Sequence, residues 1–183
     1  MRRLQKVTIV IWMSLLAIPF TGIAGESNPS TVVPEQERMI REVRHELLML
    51  PFYDVFDDLA FRVEGSTVTL SGFVTRPTLK TSAERVVRKV PGVQQVVNQI
   101  EVLPLSPMDD RIRCAVFYAV YGNPALDRYS YQAIPPIRIV VKNGHVTLTG
   151  VVFNGMEKTL AGMKARGVGG VFSVTNNLHT EKT

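Results

Sequence analysis

Val68-Thr-Leu-Ser-Gly72 recurs later in the chain as Val146-Thr-Leu-Thr-Gly150, and this repeated stretch decides the fold. The two copies lie 78 residues apart. The same offset relates further matching positions, namely Val90-Pro-Gly92-Val93 with Val168-Gly-Gly170-Val171, and Asn98 with Asn176. An offset that stays constant across a strand, a helix and a second strand indicates an internal duplication of one structural unit.

Each copy has the apolar pattern of two helices and three strands. The first copy opens with residues spaced as one helical face, Ile40, Val43, Leu47 and Leu50. Alternating apolar residues then flank a turn, Gly65-Ser66 in the first copy and Asn143-Gly144 in the second. A second helix and a closing strand follow, so the closing strand runs parallel to the strand before that helix. The sequence predicts an α+β fold of two tandem αββαβ modules, each a small mixed three-stranded sheet with two helices on one face.

The repeated glycines and asparagines are interpreted as structural. Gly72 and Gly150 end the pattern of the second strand, where a bulge or a close helix crossing tolerates only a hydrogen. Asn98 and Asn176 occupy the same place in both copies, so each is expected to satisfy a backbone group.

The repeated motif resembles the BON domain, a module named for bacterial osmotic-shock and nodulation proteins. The resemblance covers residues 36–179 and rests on Val68, Leu70, Gly72, Gly92, Val93 and Asn98 in the first copy, and on Val146, Leu148, Gly150, Gly170, Val171 and Asn176 in the second. It implies an envelope protein that contacts phospholipid membranes or other envelope proteins. It implies no enzymatic activity and no cofactor.

The N-terminus has the pattern of a secretory signal peptide. Three basic residues precede an uncharged run over 7–20, and Gly22 and Ala24 fit the −3 and −1 positions of a cleavage site before Gly25. A retained membrane anchor is the alternative, but this run is shorter than the roughly 20 apolar residues that a span requires. We therefore expect an exported, periplasmic protein with a signal peptide (1–24), a flexible linker (25–35), two modules (36–104 and 105–179) and a tail (180–183).

Composition argues against nucleic acid and metal as partners. The net charge of +5 includes three basic residues of the signal peptide, and its removal leaves 18 basic against 16 acidic residues. A surface that tracks phosphates needs more concentrated positive charge. The three histidines are dispersed, whereas a metal site needs three or four converging ligands. The single cysteine, Cys114, is expected to be a buried, inert thiol.

The two copies differ in charge and in apolar surface. Residues 26–105 carry a net charge of −2, and residues 106–183 carry +4. Thr78, Ser82 and Arg85 of the first copy align with Met156, Leu160 and Met163 of the second. With the first helices aligned at an offset of 72, which leaves six extra residues before the second hairpin, three more positions become aromatic: Phe117, Tyr118 and Tyr121. This alignment turns Ile112, Ala115 and Ala119 toward the core. The second copy thus has helices that are apolar on two sides, and such helices are normally covered.

Two explanations of what covers this apolar stripe remain. The first copy itself can pack on this stripe as an interdomain contact. Alternatively, an external partner contacts it, and the flanking Lys158, Lys164 and Arg166 suit the anionic headgroup zone of a membrane. The leading hypothesis is a non-enzymatic envelope interaction protein that binds anionic phospholipid or an envelope protein, in stress response or envelope maintenance. The alternative is a periplasmic protein-binding or chaperone-like scaffold without lipid contact.

Overall fold

A computed structural model describes residues 29–132 and 134–181. The first module comprises α1 (Pro29–Leu48), β1 (Asp58–Glu64), β2 (Thr67–Val74), α2 (Pro77–Val87), β3 (Gln95–Asn98) and β4 (Glu101–Val102). The second module comprises α3 (Pro107–Tyr121), a short 3-10 helix (Asp127–Tyr129), β5 (Ile137–Lys142), β6 (His145–Val152), α4 (Gly155–Arg166) and β7 (Ser173–Thr180). The signal peptide predicted over 1–24 lies outside the described residues.

Both sheets have the predicted mixed topology. β1 pairs antiparallel with β2, which pairs in parallel with β3 and β4; β5 pairs antiparallel with β6, which pairs in parallel with β7. The crossover through α2 or α4 explains the parallel pairing, because a strand that returns after a helix enters the sheet in the same direction. The α+β fold of two tandem modules is confirmed, but the closing strand of the first module is divided into β3 and β4, so its sheet has four strands rather than the predicted three.

Two predicted boundaries need correction. Helix α1 begins at Pro29, so the linker predicted over 25–35 is helical from that residue onward. Strand β7 continues to Thr180, one residue beyond the predicted end of the second module. The strand continues because its pairing with β6 extends to Val152.

The first helices of the two modules are equivalent at an offset of 73 residues, not 72. Met39 of α1 lies 2.7 Å from where a Cβ on Gly92 would stand, and Ile112 of α3 lies 3.7 Å from the corresponding point on Gly170. The inward residues of α3 are Ile112, Val116 and Val120, whereas Ala115 is exposed. The prediction that Ala115 and Ala119 face the core is wrong, and the second module has five extra residues before its hairpin rather than six.

Gly72 and Gly150 allow a close approach between paired strands. They have φ values of +110° and +113°, and they lie within β2 and β6 rather than at their ends. A Cβ on Gly72 would stand 2.0 Å from the carbonyl oxygen of Asp58, and one on Gly150 would stand 1.8 Å from that of Pro136. The predicted need for a hydrogen therefore comes from neighbouring backbone and not from a crossing helix.

Asn98 and Asn176 fasten the second helix of each module to its closing strand. Their Nδ2 atoms donate to the carbonyl oxygens of Lys80 at 3.0 Å and Lys158 at 2.7 Å. Their Oδ1 atoms accept from backbone N–H groups two residues further on, at 3.2 and 3.3 Å. The structural interpretation of this repeated asparagine is confirmed.

Candidate interaction surface

Helix α4 presents an apolar outer face. Asn154 caps its N-terminus by accepting a hydrogen bond from the N–H of Glu157 at 2.9 Å, and the helix ends before Gly167. Met156 is 81% exposed and Met163 is 55% exposed, while Leu160 between them is half-buried against the core. These three residues occupy one face because their spacing of four and three follows the helical repeat.

Helix α3 continues this apolar surface. Its exposed side includes Ala115 and Tyr118, and the Tyr118 ring is 73% exposed. An open groove between α3 and α4 is lined by Ala119, Leu160, Met163, Lys164 and Val168. We call these lining residues, with Ala115, Tyr118 and Met156, the second-module helical face.

Cations border this face. Lys164 and Arg166 are exposed in the last turn of α4. Lys158 is half-exposed but lies about 200° around the helix from Met156, so it faces away from the methionines and its predicted place beside them is wrong. The single acidic residue of α4, Glu157, is turned inward and is paired with Arg128. The second-module helical face therefore combines exposed apolar side chains with unopposed positive charge along the same helix.

Tyr121 does not belong to this surface. Its side chain is only 4% exposed. Its hydroxyl donates to the carbonyl oxygen of Ile137 at 2.6 Å and accepts from the N–H of Ile137 at 3.1 Å. Burial raises the pKa of its phenol. The prediction that Tyr121 contacts a partner is wrong, because its ring is buried in the core of the second module, where its hydroxyl binds both backbone groups of Ile137.

Phe117 takes part in the contact between modules. Its ring meets that of Phe56, from the first module, edge to face at a centroid distance of 6.2 Å. Beside it, the N–H of Ile139 donates to the carbonyl oxygen of Val55 at 2.9 Å, and the Val55 side chain is buried in the core of the second module. Nη1 of Arg138 donates to the carbonyl oxygen of Asp54 at 2.9 Å.

The predicted apolar stripe is thus divided between two environments. The first module covers Phe117 through Phe56, as the interdomain hypothesis expects. Met156, Met163 and Tyr118 remain exposed in the part of the chain that the structure describes. The surface that remains available to an external partner is therefore the outer face of α4 and the outer side of α3.

A polar cluster that was not predicted holds the five-residue insertion. Glu157 accepts hydrogen bonds from Arg128 and from the hydroxyl of Tyr129, and from the N–H of Phe153 at 3.1 Å. Burial alone would raise the pKa of Glu157, but these hydrogen bonds outweigh burial and the pKa is lowered. A signal was available, because Glu157 aligns with Leu79, a core residue of the first module, and a carboxylate at a core position needs partners.

Cys114 also differs from its prediction. It is exposed on the outer side of α3, one residue from Ala115, and is not buried. Within 29–132 and 134–181, no three His, Cys, Asp or Glu side chains converge as a metal site would require. None of the helices in this part of the chain combines the length and hydropathy needed to cross a bilayer.

The chain belongs to the BON domain family. The family model matches residues 43–104 and 125–182, one segment in each module. BON modules are a non-catalytic, membrane-associated class, and the tandem arrangement predicted from the repeat is confirmed. No curated protein matches the sequence.

Two solved structures resemble the chain weakly. Both are of CdsD, described as a structural protein of the type III secretion system of Chlamydia trachomatis. The first, of its C-terminal domain, is 12% identical with a TM-score of 0.28, and the alignment covers 78% of this chain and 96% of that one. The second is 13% identical with a TM-score of 0.28, and covers 79% and 93%. A TM-score of this size carries no inference about function.

Proposed function

We propose that this protein is a non-enzymatic envelope interaction protein whose second-module helical face binds the surface of an anionic phospholipid membrane. The observation that carries the proposal is the exposure of Met156 and Met163 on one side of α4. An exposed apolar patch of this kind on a folded module is typical of a contact surface.

The apolar residues supply most of the expected binding energy. A methionine side chain that moves from water into an apolar environment contributes about 1.5–3 kcal/mol. Met156 and Met163 lie seven residues apart, so both enter the same depth when α4 lies flat on the surface. Tyr118 on α3 has an amphipathic ring that suits the headgroup level.

The cations select the headgroup. Each Lys or Arg near an anionic leaflet contributes about 1 kcal/mol. Lys164 and Arg166 are exposed, and residues 106–183 carry a net charge of +4, against −2 for residues 26–105. The second module is therefore the one that approaches the membrane, and binding should weaken as salt screens the charges.

The proposal includes export of the protein to the periplasm. The N-terminal pattern of basic residues, apolar run and small residues before Gly25 supports delivery to the periplasm, where phospholipid leaflets face the protein. A role in envelope maintenance under stress follows from the family resemblance.

Vesicle co-sedimentation of the chain from Gly25 onward tests the proposal. We expect binding to vesicles with a third of anionic lipid, and little binding to zwitterionic vesicles. Met156→Ser with Met163→Ser should lower the partition coefficient by about tenfold or more, because two apolar contacts are lost. Lys164→Glu should weaken binding by about fivefold, and only with anionic vesicles.

Leu105→Ser is the matched control. Leu105 is 97% exposed but lies in the connection between the modules, outside the second-module helical face. Equal loss of binding in this variant, or equal binding to zwitterionic and anionic vesicles, would contradict the proposal.

A further inference from the structure

The first module contains an open copy of a site that is filled in the second module. In the second module, the filled site lies between α3 and the outer edge of β5 and includes Phe117, Val120, Tyr121, Ile137 and Ile139. Offsets of 73 in the helix and 78 in the strand assign the equivalent residues of the first module: Arg44, Leu47, Leu48, Leu59 and Phe61. All five of these line one open groove between α1 and β1.

Burial shows that one site is filled and the other is not. Ile137 and Ile139 are 0% exposed, whereas Leu59 and Phe61 at the same places are only half-buried. Tyr121 is 4% exposed, whereas its equivalent Leu48 is 41% exposed. The apolar surface that the first module leaves open is therefore the surface that the second module covers.

The occupant of the filled site is a turn of the first module, in which the N–H of Asp57 donates to the carbonyl oxygen of Asp54 at 3.2 Å. Val55 inserts its side chain into the core of the second module, and its carbonyl oxygen accepts from the N–H of Ile139 at 2.9 Å. The segment is held in shape from the other side, because Asp57 accepts from the N–H of Thr75 at 2.7 Å and from that of Asp54 at 3.2 Å. The recognition combines one main-chain hydrogen bond at a strand edge with one apolar side chain at the tip of the turn.

The open groove repeats both parts of this recognition. Phe61 is equivalent to Ile139, so its N–H points to the free edge of β1, and Leu48 with Leu59 can receive an apolar anchor. One position differs between the two sites. The filled site has Phe117, which contacts the Phe56 ring, whereas the open groove has Arg44 at the equivalent position. Arg138 also lines the groove. Arg138 is only 8% exposed and its guanidinium already donates to the carbonyl oxygen of Asp54. The carboxylate of Asp58 also lines the groove, so the exposed Arg44 is the cation that favours a carboxylate in the next residue of the occupant.

We propose that the groove between α1 and β1 binds a turn of another protein, with an apolar residue that occupies the place of Val55 and an acidic residue that follows it. The carbonyl oxygen of the apolar residue accepts from the N–H of Phe61, and the acidic residue pairs with Arg44. This site lies mainly on the first module, with Pro136, Arg138 and Gly150 of the second module at its border, and it shares no residue with the proposed membrane surface.

A peptide based on the chain itself provides the probe. The peptide has the sequence of residues 51–58 with Phe56→Glu, and binding to the purified protein is measured by fluorescence anisotropy and by amide NMR. We expect saturable binding, the largest amide shifts at Phe61 and in the last turns of α1, and about tenfold weaker binding to Arg44→Glu. The unchanged sequence of residues 51–58 should bind more weakly than its Phe56→Glu variant.

Arg41→Glu is the control, because Arg41 is exposed on the same helix one turn away and outside the groove. Equal weakening by Arg41→Glu, or no saturable binding, overturns the proposal. Shifts centred on Ile139 would mean that the peptide displaces the chain's own segment, which also overturns it. Concentration-dependent dimerisation that Arg44→Glu abolishes would assign the groove to a second copy of this chain and overturn the assignment to another protein.

Discussion

The groove between the two helices is present in both modules, but its lining differs. In the first module Glu42, His45, Glu46 and Lys89 line it with titratable groups. In the second module the positions equivalent to the first three are Ala115, Tyr118 and Ala119, and Met163 replaces Arg85 on the facing helix. The backbone that forms the groove is shared, and the side chains that a partner would touch are not.

This difference separates what the fold requires from what it leaves free. The core positions of the second strand, Val68 and Leu70, are repeated as Val146 and Leu148, and all four are buried. The outer helical positions contribute little to stability, because substitutions at exposed sites change the free energy of unfolding by about 0.5 kcal/mol or less. An apolar surface that stability does not require indicates a contact.

The largest expected effect comes from replacing the repeated glycines, and it tests whether both modules need a glycine at this position of the second strand. Gly72→Ala and Gly150→Ala should each lower the free energy of unfolding by about 3 kcal/mol or more, because each Cβ would meet a carbonyl oxygen and each φ is positive. Urea unfolding measures the loss. Gly155→Ala is the control, since nothing lies within 4 Å of its Cβ position. If either repeated glycine tolerated alanine within 1 kcal/mol, the close approach of the paired strands would be wrong for that module.

The next effect tests the covered edge of the second module. Val55→Asp places a carboxylate in an apolar core, so it should destabilise the contact between modules by about 3 kcal/mol. The amide of Ile139 should then exchange with solvent much faster, as measured by hydrogen exchange. Met49→Asp, at a residue that is 68% exposed, should leave this exchange rate unchanged. Slow exchange at Ile139 in Val55→Asp would show that this edge is protected without the segment.

A smaller, pH-dependent effect tests the insertion that only the second module carries. The pKa of Glu157 is lowered, so its contribution to stability is complete above the unfolded-state pKa of about 4.3 and is lost as pH falls through the folded-state pKa. Glu157→Gln should therefore lower the free energy of unfolding by about 1.5 kcal/mol at pH 7 and by less at pH 3. Urea unfolding at both pH values measures the difference. Glu35→Gln, with an exposed carboxylate, should show no such dependence, and an equal loss at both pH values in Glu157→Gln would contradict the assigned role.

The fold could be predicted from the sequence because its evidence is local and repeated. Asn143-Gly144 fixes a hairpin, since Asn143 takes a φ of +53° and Gly144 a φ of +77°. The crossover rule then fixes the parallel strand without any knowledge of side-chain contacts. The repeat supplied an independent check, because each element had to appear twice.

The candidate surface could be predicted only in part, because helix α3 is apolar at almost every position from Ala115 to Val120. Apolar periodicity cannot orient such a helix, and an error of one residue placed the exposed Ala115 on the core side. The contact of Ile112 with Gly170 fixes the orientation, but it joins residues that are distant in sequence. Helix α4 was oriented correctly because its core residues Ala161 and Ala165 align with Ala83 and Val87, which are buried in the first module.

The role of Val55 could not be predicted for the same reason. The segment that contains it has no repeat in the second module, where the five-residue insertion takes its place. Its hydrogen bond to Ile139 joins residues that lie 84 positions apart in the sequence, and no local pattern indicates which strand edge it covers.

The last prediction compares the two grooves directly and involves the smallest expected change in the free energy of unfolding. Glu42→Ala, His45→Tyr and Glu46→Ala together give the first-module helix the residues of the second-module groove. Because none of the three is buried, the free energy of unfolding should change by about 0.5 kcal/mol or less. Vesicle co-sedimentation should show about threefold stronger binding to anionic vesicles, since two carboxylates that repel the surface are removed and an amphipathic ring is added.

A charge-matched control separates these two causes. Glu35→Gln with Glu37→Gln removes two carboxylates from the same helix at exposed sites outside the groove. It should strengthen vesicle binding less than the groove variant does, because it adds no apolar contact. If both variants bound vesicles equally, net charge alone would explain the gain, and the apolar lining of the second-module groove would lose its place in the proposed membrane contact.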